Sequence, residues 1–441
     1  MTAGQPPART LPLLYFATAH ASLMLASALV GLWPNAAAGF FYHAWMLGIV
    51  HLVTLGWITF SILGAIYIVG PLALRMEMPS RRADYVAYSV AVIGLIGMVG
   101  HFSIQEYGGM AWSAATVAVA VFFMTVRIAA AVRVAKIPIA VKLHLLLPCV
   151  NLWIAGSTGV LIACDKVHHS LPGFVLSNVF AHAHLAALGW ATMMVVGVGY
   201  RLLPMTLPSK MPSGRSMYAG AALLEIGVLG LFVSLLVGGS WSVAFGLSIV
   251  AGLGIFAAHV VWMLRHPVSR PFGAPRLDFG LMHAGCAGVS LVVCVAIGLG
   301  LLALPMSPRT LHAAAAYGIL GLVGFLGQTV VAMQARLVPM VTWFWRYSAS
   351  GYRVPPPSPH AMRDRALQAI VFAGWLVAVP AMAAGLFLES ASLMSVGAWS
   401  LFAAVAVAML DNIMVIAPSI GVPKTRERCS STSVNVSVAA R

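Results

Sequence analysis

The sequence predicts an all-α integral membrane protein of about twelve transmembrane helices, arranged as three pseudo-repeated four-helix units. Composition is the first reason. The 441-residue chain is 61% hydrophobic and 8% charged, with a mean hydropathy of +0.95, whereas soluble domains carry roughly a quarter charged residues. Recurrence is the second. His51-Leu-Val-Thr-Leu-Gly-Trp57 leads to Pro71, and His184-Leu-Ala-Ala-Leu-Gly-Trp190 leads to Pro204, with the same offset from histidine to proline in both. A third copy runs from His312 to Pro339, and its ending Arg336-Leu-Val-Pro-Met340 matches Arg201-Leu-Leu-Pro-Met205. Its histidine stands further from the proline, on the same helix face two turns earlier. Self-similarity at a fixed period of this kind is an architectural signal.

Apolar stretches of spanning length fall at 11–33, 43–70, 85–105, 111–131, 139–163, 176–200, 217–238, 241–264, 279–304, 310–335, 366–388 and 391–416. The first follows a short arm with Arg9 and no small-residue cleavage site, so it is expected to be retained as a span. The whole of 1–423 is expected to be one polytopic domain, with repeats at about 11–138, 139–278 and 279–423. Pro355-Pro356-Pro357 marks a stiff connector. The polar segment 424–441 is expected to be a disordered cytoplasmic tail.

Basic residues cluster in alternate loops: Arg75 to Arg82, Arg127 to Lys142, Arg201 to Arg215, Arg265 to Arg276, Arg336 to Arg365, and Lys424 to Arg428. The opposite loops hold only Lys166 and Arg309. That bias predicts a multi-pass protein of a bacterial-type inner membrane with both termini in the cytoplasm. The net charge of +15 therefore reads as a topogenic and lipid-surface signal, and no nucleic-acid partner is expected. The five cysteines form no CxxC pair and read as small apolar residues.

Fourteen histidines outnumber ten acidic residues, and most lie within or beside spans. An imidazole in hydrocarbon loses its water contacts, so it tends to face the bundle interior and take a partner. On the expected topology His43, His51, His101, His182, His184 and His312 form a layer in the outer half of the membrane. His20, His144 and His283, early in spans one, five and nine, form a deeper set. His182 and His184 point about 200° apart on one helix, so they can serve two different neighbours.

The segment from His182 through Gly189-Trp190, Gly197 and Tyr200 to Pro204 resembles the HxH helix of subunit I in C-type haem-copper oxidases and nitric oxide reductases. His51 to Pro71 resembles that helix or the haem-ligand segment of the second helix. The twelve spans in three arcs are also that superfamily's fold, a haem-copper oxidase subunit I-like bundle. The chain departs from the family pattern in three places: the HxH pair is in span six, span ten keeps only His312, and span seven contains Glu225 and no histidine, so the copper-site signature is absent. Shorter relatives, NnrS-like haem and copper membrane proteins, are similar in length and lack that signature too.

The resemblance implies binding of haem, b-type or related, or of copper, or of both. His51, His182, His184 and His312 would be the cofactor ligands, with His51 and His184 as the core pair. His144 and His283 are further metal candidates. It implies a quinol, cytochrome or donor-subunit partner, with dioxygen or nitric oxide as small ligand, in an oxidoreductase or a non-catalytic relative. No covalent c-type haem is expected, because CxxCH is absent. A polytopic transporter of a metal, haem or small solute remains open as the other class.

Overall fold

The computed structural model describes residues 7–269, 278–347 and 358–420. The expected tail at 424–441, Cys429 and the Pro355–Pro357 connector lie outside the described residues. Among the described residues, twelve helices are long and apolar enough to cross a membrane: Thr10–Leu32, Ala44–Ala73, Arg82–Ile104, Tyr107–Val134, Ile139–His168, Val175–Thr206, Arg215–Val237, Ser242–Arg265, Phe279–Ala303, Pro308–Tyr347, Arg365–Phe387 and Ala391–Pro418. They are called spans 1 to 12 below. Span 10 runs well past its expected end, because Gln328 to Tyr347 is amphipathic and continues the helix beyond the purely apolar stretch.

Spans 2, 6 and 10 touch one another and form the inner layer. Spans 1, 5 and 9 pack against spans 2, 6 and 10 respectively, and spans 3–4, 7–8 and 11–12 form outer hairpins. Span 4 meets span 5, span 8 meets span 9, and span 12 closes on span 1. Burial follows this plan: 78% of the apolar window of span 2 is buried inside the protein, against 17% for span 9, which faces outward.

Glycine sets the close approaches between inner and outer helices. A Cβ on Gly56 would run into the Ser22 side chain, one on Gly189 would come 3.0 Å from Asn151 Cβ, and one on Gly324 2.8 Å from Ser290 Oγ. One turn pair further on, a Cβ on Gly64 would meet Tyr15 Cβ at 2.9 Å and one on Gly197 the His144 carbonyl oxygen at 2.5 Å. These contacts fix the register of the outer helices. His283 follows His144 by the same interval by which Ser290 follows Asn151, so the two histidines correspond. In span 1 the corresponding residue is Tyr15. His20, which the sequence spacing groups with them, sits more than a turn beyond it.

Each inner helix is interrupted at the same place by a π-helical segment: Leu52–Thr59, Leu185–Thr192 and Leu320–Gly327. The segments follow one another at the same two intervals as Pro71, Pro204 and Pro339 do. A π segment accommodates an extra residue and turns the side chains on either side of it, a device frequent at functional sites. Local side chains support it. Thr192 Oγ1 donates to the Ala187 carbonyl at 2.9 Å, and Trp190 Nε1 donates to Thr59 Oγ1 at 3.2 Å, tying one π segment to another.

Each outer hairpin carries one polar cross-link at the same end of the bundle. Buried Asp84 pairs with Arg127 in spans 3–4. Ser216 Oγ and His259 Nε2 lie 2.8 Å apart in spans 7–8, and both members are shifted from the first pair by one and the same repeat step. In the third hairpin, Arg363 at the head of span 11 pairs with Asp411 of span 12 with the charges exchanged.

Candidate functional site

His51 and His184 are each the last residue before a π segment, and His182 precedes that point by two. The Nδ1–H of His51 donates to the Leu47 carbonyl at 2.7 Å, and that of His184 to the Phe180 carbonyl at 2.7 Å, each one turn back on its own helix. The Nδ1–H of His182 donates across to Ala155 of span 5 at 2.9 Å. A carbonyl accepts only, so each Nδ1 carries a proton, and in the neutral ring Nε2 is then the nitrogen with the free lone pair. A backbone-anchored Nδ1–H that presents Nε2 is the arrangement that orients imidazole ligands in metal sites. All three rings are partly exposed rather than sealed in the core.

The rings distribute over the junctions between inner helices. His51 lies within electrostatic reach of His182 and stacks on Phe102 of span 3, centroids 5.4 Å apart. His184 instead turns to span 10, where it stacks on Tyr317 at 5.8 Å and its Nε2 accepts from the Tyr317 hydroxyl at 3.3 Å. The register explains the difference. His51, His184 and Ile319 immediately precede the three π segments, and Ile49, His182 and Tyr317 each stand two positions earlier. At two of the junctions the residue before one π segment lies toward the residue two earlier on the next inner helix: of the residues expected from sequence, His51 lies toward His182, and His184 toward Tyr317.

Two glycine positions shape the layer. A Cβ on Gly159 of span 5 would come 2.9 Å from His182 Cε1, so only glycine leaves room for that ring. On span 10 the glycine run divides. Gly324 and Gly327 pack against Ser290 and Trp375, whereas Gly318 has nothing within 4 Å of its Cβ position and Gly321 only Cys294 at 3.7 Å. The end of span 10 next to Tyr317 therefore keeps an open face.

The other candidates stand elsewhere. His312 Nε2 pairs with Glu389 Oε1 at 3.0 Å at the rim of the bundle, where the two side chains are 35% and 56% exposed, and it does not join the layer. Its position, two turns before Ile319, places it too near the helix start. His144 donates its Nδ1–H to the Ala140 carbonyl at 2.9 Å and lies edge-on to Tyr200, with Nε2 buried and unpartnered. His283 is 2% exposed and lies edge-on to Phe372 and Trp375.

Among the described residues, no group of three or more His, Cys, Asp or Glu side chains is arranged to hold a metal ion. The donor set therefore does not fit a preassembled three-ligand copper centre. It does fit a two-imidazole site, since both His51 and His182 offer a neutral, oriented Nε2. Tyr317 and Gly159 were not legible as site residues from motif matching. The signal for Tyr317 was present: it stands as far before Pro339 as His182 does before Pro204.

The fold and these residues define a polytopic, all-helical membrane protein with an imidazole layer at the junctions of its inner helices. No protein-family model and no curated protein matches the chain.

Proposed function

We propose that this chain is a haem- or copper-binding membrane protein with a haem-copper oxidase-like plan, serving electron transfer or the handling of nitric oxide or oxygen. The observation that carries the reading is the His51 and His182 pair, two neutral imidazoles on different inner helices with both Nδ1–H groups fixed on backbone carbonyls. Three π-interrupted inner helices with matched prolines support the superfamily-like plan. Bis-imidazole ligation gives a low-spin haem suited to electron transfer, and neutral imidazole equally suits copper.

His51 and His182 would hold the group, Gly159 leaves room for the His182 ring, and Phe102 covers the His51 face. His184 has its lone pair engaged by Tyr317, and giving up such a bond costs about 0.5–1.5 kcal/mol, which makes it the second-choice ligand. On the charge bias of the loops, the layer sits in the outer half of an inner membrane with both termini in the cytoplasm. A quinol, a cytochrome or a donor subunit would supply electrons at that level.

The test is the optical spectrum and metal content of the purified protein, oxidised and dithionite-reduced, with and without carbon monoxide. A haem or copper signal lost in both His51→Ala and His182→Ala is the expected result. Folded, cofactor-supplied protein that binds neither group would overturn the reading and favour a transporter, to be followed by uptake assays in proteoliposomes.

A further inference from the structure

A small cavity into which several polar residues project lies at the opposite junction, among spans 1, 2, 9, 10, 11 and 12, away from the imidazole layer. The described residues hold eleven buried side-chain nitrogen or oxygen atoms with no hydrogen-bond partner. Five of them belong to residues lining this one cavity: Trp57 Nε1, Trp375 Nε1, His283 Nδ1, His283 Nε2 and Asp411 Oδ1. Each such atom carries the full cost of its lost hydration unless something bonds to it, so their concentration around one space identifies an occupant.

The chemistry of the five selects that occupant. Two indole N–H groups only donate, a carboxylate oxygen only accepts, and an imidazole does one of each. An anion would satisfy the indoles and be repelled by Asp411. A metal cation would satisfy Asp411 and His283 but face two indole N–H groups and the Arg363 guanidinium. Water both donates and accepts, so of the three it is the occupant whose chemistry suits every one of these groups.

The charged and titratable groups facing the space are few. Span 1 gives His20, whose Nδ1–H is held by the Phe16 carbonyl at 2.7 Å and whose Nε2 lies 3.4 Å from the Asn412 amide. Span 9 gives His283 and span 12 gives Asp411, while Arg363 enters from the head of span 11. Spans 2 and 10 contribute Trp57 and Gln334, neither titratable. Gln328 of span 10 adjoins His283 but forms no well-aligned bond with it, and its own Oε1 is also unpartnered. Arg363 is fully committed: it pairs with Asp411 and donates to the Gln334 and Ala335 carbonyls and to Asn412 Oδ1 at 2.9, 3.0 and 2.9 Å. His20 is likewise bonded at both nitrogens. His283, 2% exposed and bonded at neither, is the one imidazole of this cavity free to exchange a proton.

We propose that this cavity is an internal hydration site, a cluster of bound water among Trp57, Trp375, His283 and Asp411, with His283 as its proton acceptor. A proton passed from the bound water adds to an imidazole nitrogen of His283 and returns to the water by the same path. The proposal stands independently of the haem or copper reading.

The experiment is infrared difference spectroscopy of the full-length protein in lipid across a pH step, in H2 16O and H2 18O, on wild type, His283→Leu and Trp375→Phe. The expected result is a set of 18O-sensitive O–H stretching bands that change with pH in wild type, shift in Trp375→Phe and disappear in His283→Leu. Bands absent from wild type, or identical in all three proteins, would overturn the proposal. Thermal unfolding of Trp375→Phe gives a second readout should His283→Leu fail to fold. A dry cavity predicts a higher Tm when the unpaired indole N–H is removed, whereas a hydrated one predicts no gain. A bound divalent metal lost with His283→Leu would also overturn it, in favour of a cation site.

Discussion

Gly159→Ala isolates the geometry of the imidazole layer. The added Cβ would stand 2.9 Å from His182 Cε1 and 3.5 Å from its Nδ1, whereas non-bonded carbons rest about 3.5–4.0 Å apart. The ring is tethered through a 2.9 Å bond from Nδ1 to the Ala155 carbonyl on the same helix as the new methyl group. Retreating by the roughly 0.6 Å that relieves the clash stretches that bond past good hydrogen-bonding distance. The expected cost is about 0.5–1.5 kcal/mol for the lost bond, rising toward about 3 kcal/mol if spans 5 and 6 separate instead. Two controls bracket it. Gly197→Ala presses on the rigid His144 carbonyl at 2.5 Å and should cost more, while Gly254→Ala meets nothing within 4 Å and should stay within about 0.5 kcal/mol of wild type. Denaturant or thermal unfolding in detergent gives the stability order, and the spectrum of the proposed haem or copper group would report the ligand geometry. Gly197→Ala should lose stability without a specific spectral change, and Gly159→Ala should change the spectrum. Behaviour of Gly159→Ala indistinguishable from Gly254→Ala in both readouts would refute the placement of His182.

Four other outcomes follow from the same contacts. Tyr317→Phe removes the hydroxyl 3.3 Å from His184 Nε2 and should cost about 0.5–1.5 kcal/mol while leaving the bound group in place, measured by unfolding and metal content. Arg363→Gln strands the Asp411 carboxylate, 2% exposed, and should destabilise by about 3–5 kcal/mol. The double variant with Asp411→Asn should recover part of that loss, a coupling of about 0.5–3 kcal/mol measurable by a double-mutant cycle. His312→Ala breaks only a solvent-exposed pair with Glu389 and should stay within about 1 kcal/mol of wild type with full metal content. Trp190→Phe deletes the bond to Thr59 that ties two π segments and should cost about 1 kcal/mol by the same unfolding assay.

The twelve spans were legible because hydrocarbon thickness imposes apolar runs of about twenty residues, and no other signal competes with that in this chain. The inner helices announced themselves through the three matched prolines. Their π segments did not, since nothing in Leu52–Thr59 distinguishes a π turn from an α turn except its constant distance from the proline. That constant distance also carried the level of each residue along its helix. Counting back from Pro71, Pro204 and Pro339 places Ile319, not His312, at the level of His51 and His184. Matching the histidines themselves concealed this, because identical residue type is a weaker guide to register than a fixed offset. The partner of His51 depends on how inner helices face each other, which sequence offsets within one helix do not contain. Arg363 looked like one more basic loop residue beside Asp364 and Arg365. Its inward turn becomes intelligible only when span 12 brings Asp411 and Asn412 across from it.

Metal content per protein in four purified samples decides whether His51 and His182 together hold a haem or copper ion. Wild type and His312→Ala should carry the same haem or copper stoichiometry, with His51→Ala and His182→Ala each depleted while their helical content is unchanged by circular dichroism. Full stoichiometry in either His51→Ala or His182→Ala, or depletion in His312→Ala alone, would contradict the account.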